Sequence, residues 1–273
     1  MKVEEYAKEI LFGTNLNSKL LKVDKISFQD SCFVSSELPK KPGRSKKIDF
    51  NSKQNRFPKG NFHIDEKKAM ALHSFANHEL LAIEMMAAAL LVYPHNNDEM
   101  IRFKKGIIAS LKDEQLHFQL YVNRLNEIGY DYGDFGINDF FWSKMKMLKT
   151  PEQYLATMSL TFEAANLDFA DYYKNIFDEL DDVKTSNVLT RVIKDEVSHV
   201  NLGVFYLNRW KQDKSLWDFY NESLPWPLTP ARGKGKLFVQ HLREKARMDS
   251  DFITRMRNYQ DDYVITARKE WKK

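Results

Sequence analysis

Lys112-Asp113-Glu114-Gln115-Leu116-His117 and Lys194-Asp195-Glu196-Val197-Ser198-His199 repeat one pattern, Lys-Asp-Glu-x-x-His. A Glu and a His three residues apart share a helix face, about one turn from each other. Two such pairs, each completed by a Glu from a neighbouring helix, make a two-metal carboxylate site inside a four-helix bundle. The completing glutamates also repeat. Glu79-Leu80-Leu81-Ala82-Ile83-Glu84 resembles Glu163-Ala164-Ala165-Asn166-Leu167-Asp168, at an offset close to that of the two Glu-x-x-His copies. The chain thus reads as two related helix pairs, each supplying Glu and then Glu-x-x-His.

Residues on antiparallel neighbours stand at equal height when they are equidistant from the turn. The turn Pro94-His95-Asn96-Asn97 puts Glu79 level with Glu114, whereas Glu84 pairs off-centre. Asp178-Glu179-Leu180-Asp181-Asp182 does the same for Glu163 and Glu196. The expected metal ligands are therefore Glu79, Glu114, His117, Glu163, Glu196 and His199. Glu84 and Asp168 lie five residues further on, roughly 140° around the helix. A π-bulge in the first long helix would shift this register by one residue. Ile107, Ile108, Leu111, Phe118 and Tyr121 surround one pair, and Val192, Val200 and Phe205 the other. Carboxylates on such an apolar stripe are costly unless they are paired or metal-bound. Asp113 and Asp195 precede the ligand glutamates and are expected to accept the second ring N–H of a ligand histidine, a solvent-facing position being the alternative.

Long helices must carry these groups. Val3 to Phe12 forms a short amphipathic helix ending at Gly13, and residues 14–64 are irregular and basic. Asp65 can cap a helix over 66–93, closed by Pro94, and Asn97 one over 98–128, closed by Gly129. A connection over 130–150 holds a short helix near 139–148. Thr150-Pro151-Glu152-Gln153 is a capping box opening a third helix that runs to about Leu180. The fourth covers about Val183–Lys211. Leu224-Pro225-Trp226-Pro227-Leu228-Thr229-Pro230 is a rigid loop, and a last helical region spans about Lys234–Lys269. The expected class is all-α: one domain over 1–273, with an arm (1–65), a four-helix metal-binding bundle (66–211) and a C-terminal extension (212–273).

With 273 residues, 43% of them hydrophobic, the chain can bury a full core. Its net charge of +4 does not by itself call for nucleic acid. The single cysteine, Cys32, excludes an internal disulfide and a rubredoxin-type iron domain, and fits a reducing cytoplasm. The charged start carries no signal peptide, and the apolar run Met85 to Tyr93 is too short to span a membrane.

Beyond the metal pattern, Arg44 in the arm and Arg232 and Lys234 in Ala231-Arg232-Gly233-Lys234-Gly235-Lys236 could grip a substrate anion; solvated turns are the plainer reading. His73, His78 and His95 are candidate extra ligands or ordinary core histidines. Trp226, Phe238 and Phe140-Phe141-Trp142 read as packing groups or pocket lining.

Taken together, these residues resemble the ferritin-like superfamily of di-iron carboxylate proteins. Within it, the chain resembles a bacterial family of unknown function related to the tRNA-modifying hydroxylase branch. The likeness runs through Pro42-Gly43-Arg44, Ala71 to Leu80, both Asp-Glu-x-x-His motifs, Tyr132-Gly133-Asp134-Phe135, Asn138 to Trp142, Leu160 to Asp168 and Leu224 to Gly235. It implies two iron ions, or a manganese–iron pair, and an external electron donor. The implied activity is O2-dependent hydroxylation or oxidation of a small or tRNA-like, RNA-borne substrate. Two alternatives stand: a ferroxidase or peroxidase that detoxifies iron or peroxide, and a bundle in which the metal only staples helices. The additions at both ends suit a substrate pocket better than a cage wall. Oligomeric state is open.

Overall fold

A computed structural model describes residues 1–28, 38–50 and 57–261. Cys32, Lys53, Arg56 and the expected end of the last helix beyond 261 lie outside the described residues. The protein is all-α, and among the described residues the only extended pairing is an isolated bridge between Lys2 and Ser27. The chain divides into two compact units, Met1–Lys146 and Met147–Lys273.

The first unit holds α1 (Val3–Phe12), α2 (Leu16–Lys19), α3 (Asp65–Val92), α4 (Asp98–Glu127) and α5 (Trp142–Met145). Helices α3 and α4 form an antiparallel pair, and α1, α2 and α5 pack on α3. The Asn97 side chain caps α4 by accepting from Met100 N. Asp65 does not cap α3: it is the first helical residue, Ile64 precedes it, and no side chain makes the cap bond. Gly129, at φ 83°, closes α4 in a conformation that other residues rarely adopt. By length and composition α3 could cross a bilayer, being far longer than the run Met85–Tyr93; 83% of its apolar window is buried within the protein. It is a core helix that also buries His73, Asn77, Glu79 and Glu84.

The second unit begins with one continuous rod. It comprises α6 (Pro151–Thr157), a π-helical turn (Met158–Glu163) and α7 (Ala164–Glu179). The Thr150 hydroxyl caps it by accepting from Gln153 N, while Gln153 Oε1 accepts from Lys149 N at 2.8 Å, one residue earlier than a reciprocal box requires. The π turn lies in this rod rather than in α3. Thr161 Oγ1 donates to the carbonyl five residues back, Ala156 O, at 2.7 Å, and lies 2.9 Å from Tyr220 Oη. Helix α8 (Val183–Trp210) pairs with α7 and passes closest at Gly203, where a Cβ would come within 2.4 Å of Ser159 Cβ.

The extension of this unit differs from one long helix. It contains α9 (Leu216–Ser223), a 3₁₀ turn (Pro230–Gly233), α10 (Gln240–Lys245) and α11 (Ser250–Asn258). Arg247, at φ 63°, breaks the chain between α10 and α11, and the Asp249 side chain caps the new start by accepting from Phe252 N. Two apolar residues expected inside are outside. Phe205 is 57% exposed because six residues past His199 it has rotated off the buried face. Trp226, before a cis Pro227, is 75% exposed.

His73 shows how the first core handles an imidazole. It is 1% exposed, stacks on Tyr132 at 4.9 Å, and its Nε2 accepts from Gly133 N at 3.0 Å. Burial holds its pKa down to about 4, with the Asp134 charge acting the other way. Between that value and the ordinary 6.5, the unfolded chain takes up a proton that the folded ring refuses. Stability from this residue is complete above the window and falls as pH drops through it, by up to ~3 kcal/mol. Urea unfolding at a series of pH values should show a shallower acid slope for His73→Gln, which keeps an acceptor for Gly133 N. An unchanged slope would exclude this ring as a source of acid lability.

Candidate metal centre

In the first unit, α3 presents Glu79 and α4 presents Glu114 and His117, exposed by 4%, 1% and 0%. Each offers one ligand atom within 4.8 Å of the others. His117 Nδ1 lies 3.2 Å from Glu114 Oε2. In the second unit, Glu163 ends the π turn, and α8 presents Glu196 and His199; they are exposed by 4%, 2% and 1%. Ligand atoms of Glu163 and His199 lie within 4.8 Å of each other, and His199 Nδ1 is 3.4 Å from Glu196 Oε2. Each unit thus gathers two carboxylates and one imidazole away from water.

These triads fit a divalent transition metal. Two ligand atoms at about 2.1 Å from one ion, at right angles, stand about 3 Å apart, close to both Glu–His separations. Glu196 Oε2 is buried and, among the described residues, accepts no hydrogen bond. An unpaired buried carboxylate oxygen is costly unless a cation takes it. Two carboxylates and a neutral imidazole also balance the charge of one divalent ion. The buried Glu/His group can hold metal; oxygen and nitrogen donors without thiolate suit iron, manganese or cobalt.

Glu84 and Asp168 serve another purpose. Glu84 accepts from Arg44 Nε at 3.0 Å and Nη2 at 2.7 Å, with Lys19 Nζ at 3.1 Å. Lys19 also donates to the carbonyls of Ile10 and Leu11 at the end of α1, where the helix dipole favours a cation. Gly43 makes the approach possible: its N–H donates to Leu11 O, and a Cβ would sit 2.1 Å from Phe12 O. In the second unit Asp168 accepts from Arg243 Nη1 at 2.6 Å and Nη2 at 2.9 Å, and from Gly235 N and Val239 N at 2.8 and 2.7 Å. A Cβ on Gly235 would meet Asp168 Cβ at 2.7 Å. The glycine-and-cation stretch read as an anion grip does hold an anion, the protein's own Asp168.

The other expected residues take definite places. Arg44 gives its fork to Glu84 and lies 4.3 Å over the Phe50 ring. Lys234 Nζ donates to the carbonyls of Arg257 and Tyr259, and half-buried Arg232 lies in the 3₁₀ turn. Asp113 and Asp195 are half-buried, and Asp195 Oδ2 accepts from Arg191 Nε. His73, His78 and His95 stand outside the Glu/His groups. His95 Nδ1 meets Lys104 Nζ at 2.9 Å and its Nε2 lies 3.5 Å from Glu4, while His78 stacks on Phe141 at 5.0 Å. Sequence reasoning missed Lys19, Arg243 and Asn166, whose Nδ2 donates to Glu196 Oε1 at 2.7 Å. Asn166 had a signal, standing one turn after Glu163 on the ligand face. Lys19 and Arg243 had none, since their partners are distant in the chain.

Two outcomes test this geometry. Glu84→Gln and Asp168→Asn each leave buried cations without their counter-charge, and should lower urea-unfolding stability by about 3–5 kcal/mol. Cobalt(II) or manganese(II) at a hundred times its dissociation constant should stabilise the wild type by about 2.7 kcal/mol. That gain should vanish when His117 and His199 are both replaced by Ala; a gain retained there would place the metal elsewhere.

A protein of Haemophilus influenzae described as uncharacterized is 27% identical over 158 residues, covering 56% of this chain and 54% of that protein. The match thus spans about half of that relative's length. No solved structure matches. The family model "protein of unknown function (DUF455)" matches residues 7–254, taking in both triads and both buried arginine–carboxylate pairs, and the chain belongs to this family.

Proposed function

We propose that the chain is a ferritin-like di-iron protein whose two triads supply the ligands of a pair of iron ions. On this reading the protein is an O2-dependent oxidoreductase of a small or RNA-borne substrate. The observation that carries it is the repetition: two buried Glu, Glu, His triads on two similar helix pairs. Their carboxylates together balance the charge of two divalent ions. Three protein ligands per ion leave coordination positions open to oxygen or substrate, as in catalytic rather than structural sites. When bound, the iron pair supplies oxygen activation and electron transfer; manganese can replace one iron without a change of donors.

The chain's own residues supply the rest. Asp113 and Asp195 accept the outer ring N–H of a ligand histidine, fixing which nitrogen faces the metal. Ile107, Leu111 and Phe118 on one side, and Val192 and Val200 on the other, keep bulk water from the carboxylates. Residues 1–273 work as one domain in a reducing cytoplasm, with electrons from an external donor.

Anaerobic loading with ferrous iron, metal analysis and oxygen uptake with a chemical reductant test the reading. The expected result is two irons per chain and oxygen consumption that Glu114→Ala with Glu196→Ala abolishes. Two irons without oxygen uptake would make the metal a structural staple. Iron accumulating well beyond two per chain would favour storage or detoxification. Two tightly bound metals in the double variant would remove the ligand assignment.

A further inference from the structure

Glu163 closes the π turn, and three parts of the extension meet the chain within three residues of it. Ala164 N donates to Ser159 O, five residues back, and to Thr161 O, where an α-helix would use Leu160 O. Leu160 O meets the 3₁₀ turn instead: a Cβ on Gly233 would come within 3.0 Å of it. Arg243 on α10 donates to Ala164 O at 3.1 Å. Tyr220 on α9 lies 2.9 Å from Thr161 Oγ1. Thr161 gives its one hydroxyl proton to Ala156 O, also five residues back, so the proton between the two hydroxyls comes from Tyr220. In an α turn a threonine hydroxyl reaches the carbonyl three or four residues back, so this bond fits only the widened turn. Tyr220 is fully buried against Trp217 and Phe252, with ring centroids 5.8 and 5.1 Å away. Burial holds its phenol well above the ordinary range, so the donor keeps its proton.

We propose that Tyr220 is a positioning residue for the metal centre: by donating to Thr161 it holds the π register that keeps the Glu163 carboxylate beside His199. This rests on the reading of Glu163 as a metal ligand. The π register is rare in helices, so contacts from outside the helix must favour it here. Closing the turn to α moves the chain on its two sides past one another by one residue, about 100° of rotation. Arg243 fixes α7 at Ala164 and Asp168, and Gly203 seats Ser159 against α8. A change of register is therefore taken up between those anchors, and Glu163 stands at the joint. The extension then acts on metal binding through the backbone, by setting the direction of a ligand that lies on another helix.

Cobalt(II) titration of the metal-free full chain, followed by visible absorption, reads both affinity and ligand geometry. Tyr220→Phe keeps the ring and Thr161→Val the shape; each should weaken cobalt binding about tenfold and alter the cobalt bands. Thr161→Ser keeps the hydroxyl and should bind as the wild type does. Ser186→Ala removes a bond from α8 to Asp178 on α7, near the turn that joins these helices. It should lower the urea midpoint and leave cobalt binding unchanged, which is all that a purely structural role predicts for Tyr220→Phe. Wild-type affinity and bands in Tyr220→Phe and Thr161→Val would overturn the proposal and leave the metal reading standing. An equal loss of affinity in Ser186→Ala or in Thr161→Ser would assign the effect to stability or packing, and would overturn it too. Absence of cobalt binding by the wild type would remove the metal reading and this inference together.

Discussion

A helix core cannot keep carboxylates unless each meets a positive charge, and this chain buries them in quantity. Glu79, Glu84, Glu114, Glu163, Asp168 and Glu196 are all at or below 4% exposure on the paired helices. Ionised groups in such surroundings are tolerated only when paired or coordinated. The protein meets the demand in two ways. Glu84 and Asp168 receive basic side chains of the chain itself. In the first unit Glu79 and Glu114 stand instead with His117, and in the second Glu163 and Glu196 stand with His199, as groups suited to metal ions.

That division explains the segments outside the long helices. In the first unit the basic stretch before α3 bends at Gly43 against the end of α1 and delivers Arg44 to Glu84. In the second unit the chain after α8 brings Gly235 against α7 and delivers Arg243 to Asp168. Both glycines are required by contact distance, because any side chain there would collide with the element being clamped. Arg243 also stacks on Phe238 at 3.9 Å and donates to the carbonyls of Ala164 and Gly233, so its guanidinium ties α7, the 3₁₀ turn and α10 together. Each clamp grips its helix five residues beyond a candidate metal ligand. The arm and the extension therefore hold the very helices that present the candidate metal ligands.

The halves are similar without being identical. The π turn over Met158–Glu163 ends at a candidate ligand and has no counterpart in the long helix α3. Thr161 steadies it by bonding Ala156 O and meeting Tyr220 on α9, and Gly203 lets α8 approach the same stretch. Such turns recur at functional positions because they re-aim side chains without ending a helix. Asn166 follows just after it, against Glu196, where the other half has Ala82. The departures from the repeat gather around the candidate metal ligands of the second unit.

Helical class, the limits of the four long helices and the residues able to hold metal are all legible in the order of residues along the chain. These follow from local rules: helical period, caps at Asn97 and Thr150, stops at Pro94 and Gly129, and the three-residue spacing of Glu and His. The sequence leaves Arg44 between a substrate grip and a solvated turn, whereas it is an internal counter-ion, and nothing in the sequence points to the Arg243 pair. A charge's partner depends on where distant segments meet, and Glu84 is 40 residues from Arg44 and Asp168 is 75 from Arg243. Nor did it place the break between α10 and α11 or the outward turn of Phe205, where packing and backbone conformation override a hydrophobic pattern. Which buried carboxylates are neutralised by the chain's own cations, and which stand ready for metal, emerges on folding, because that choice is made by contact and not by spacing.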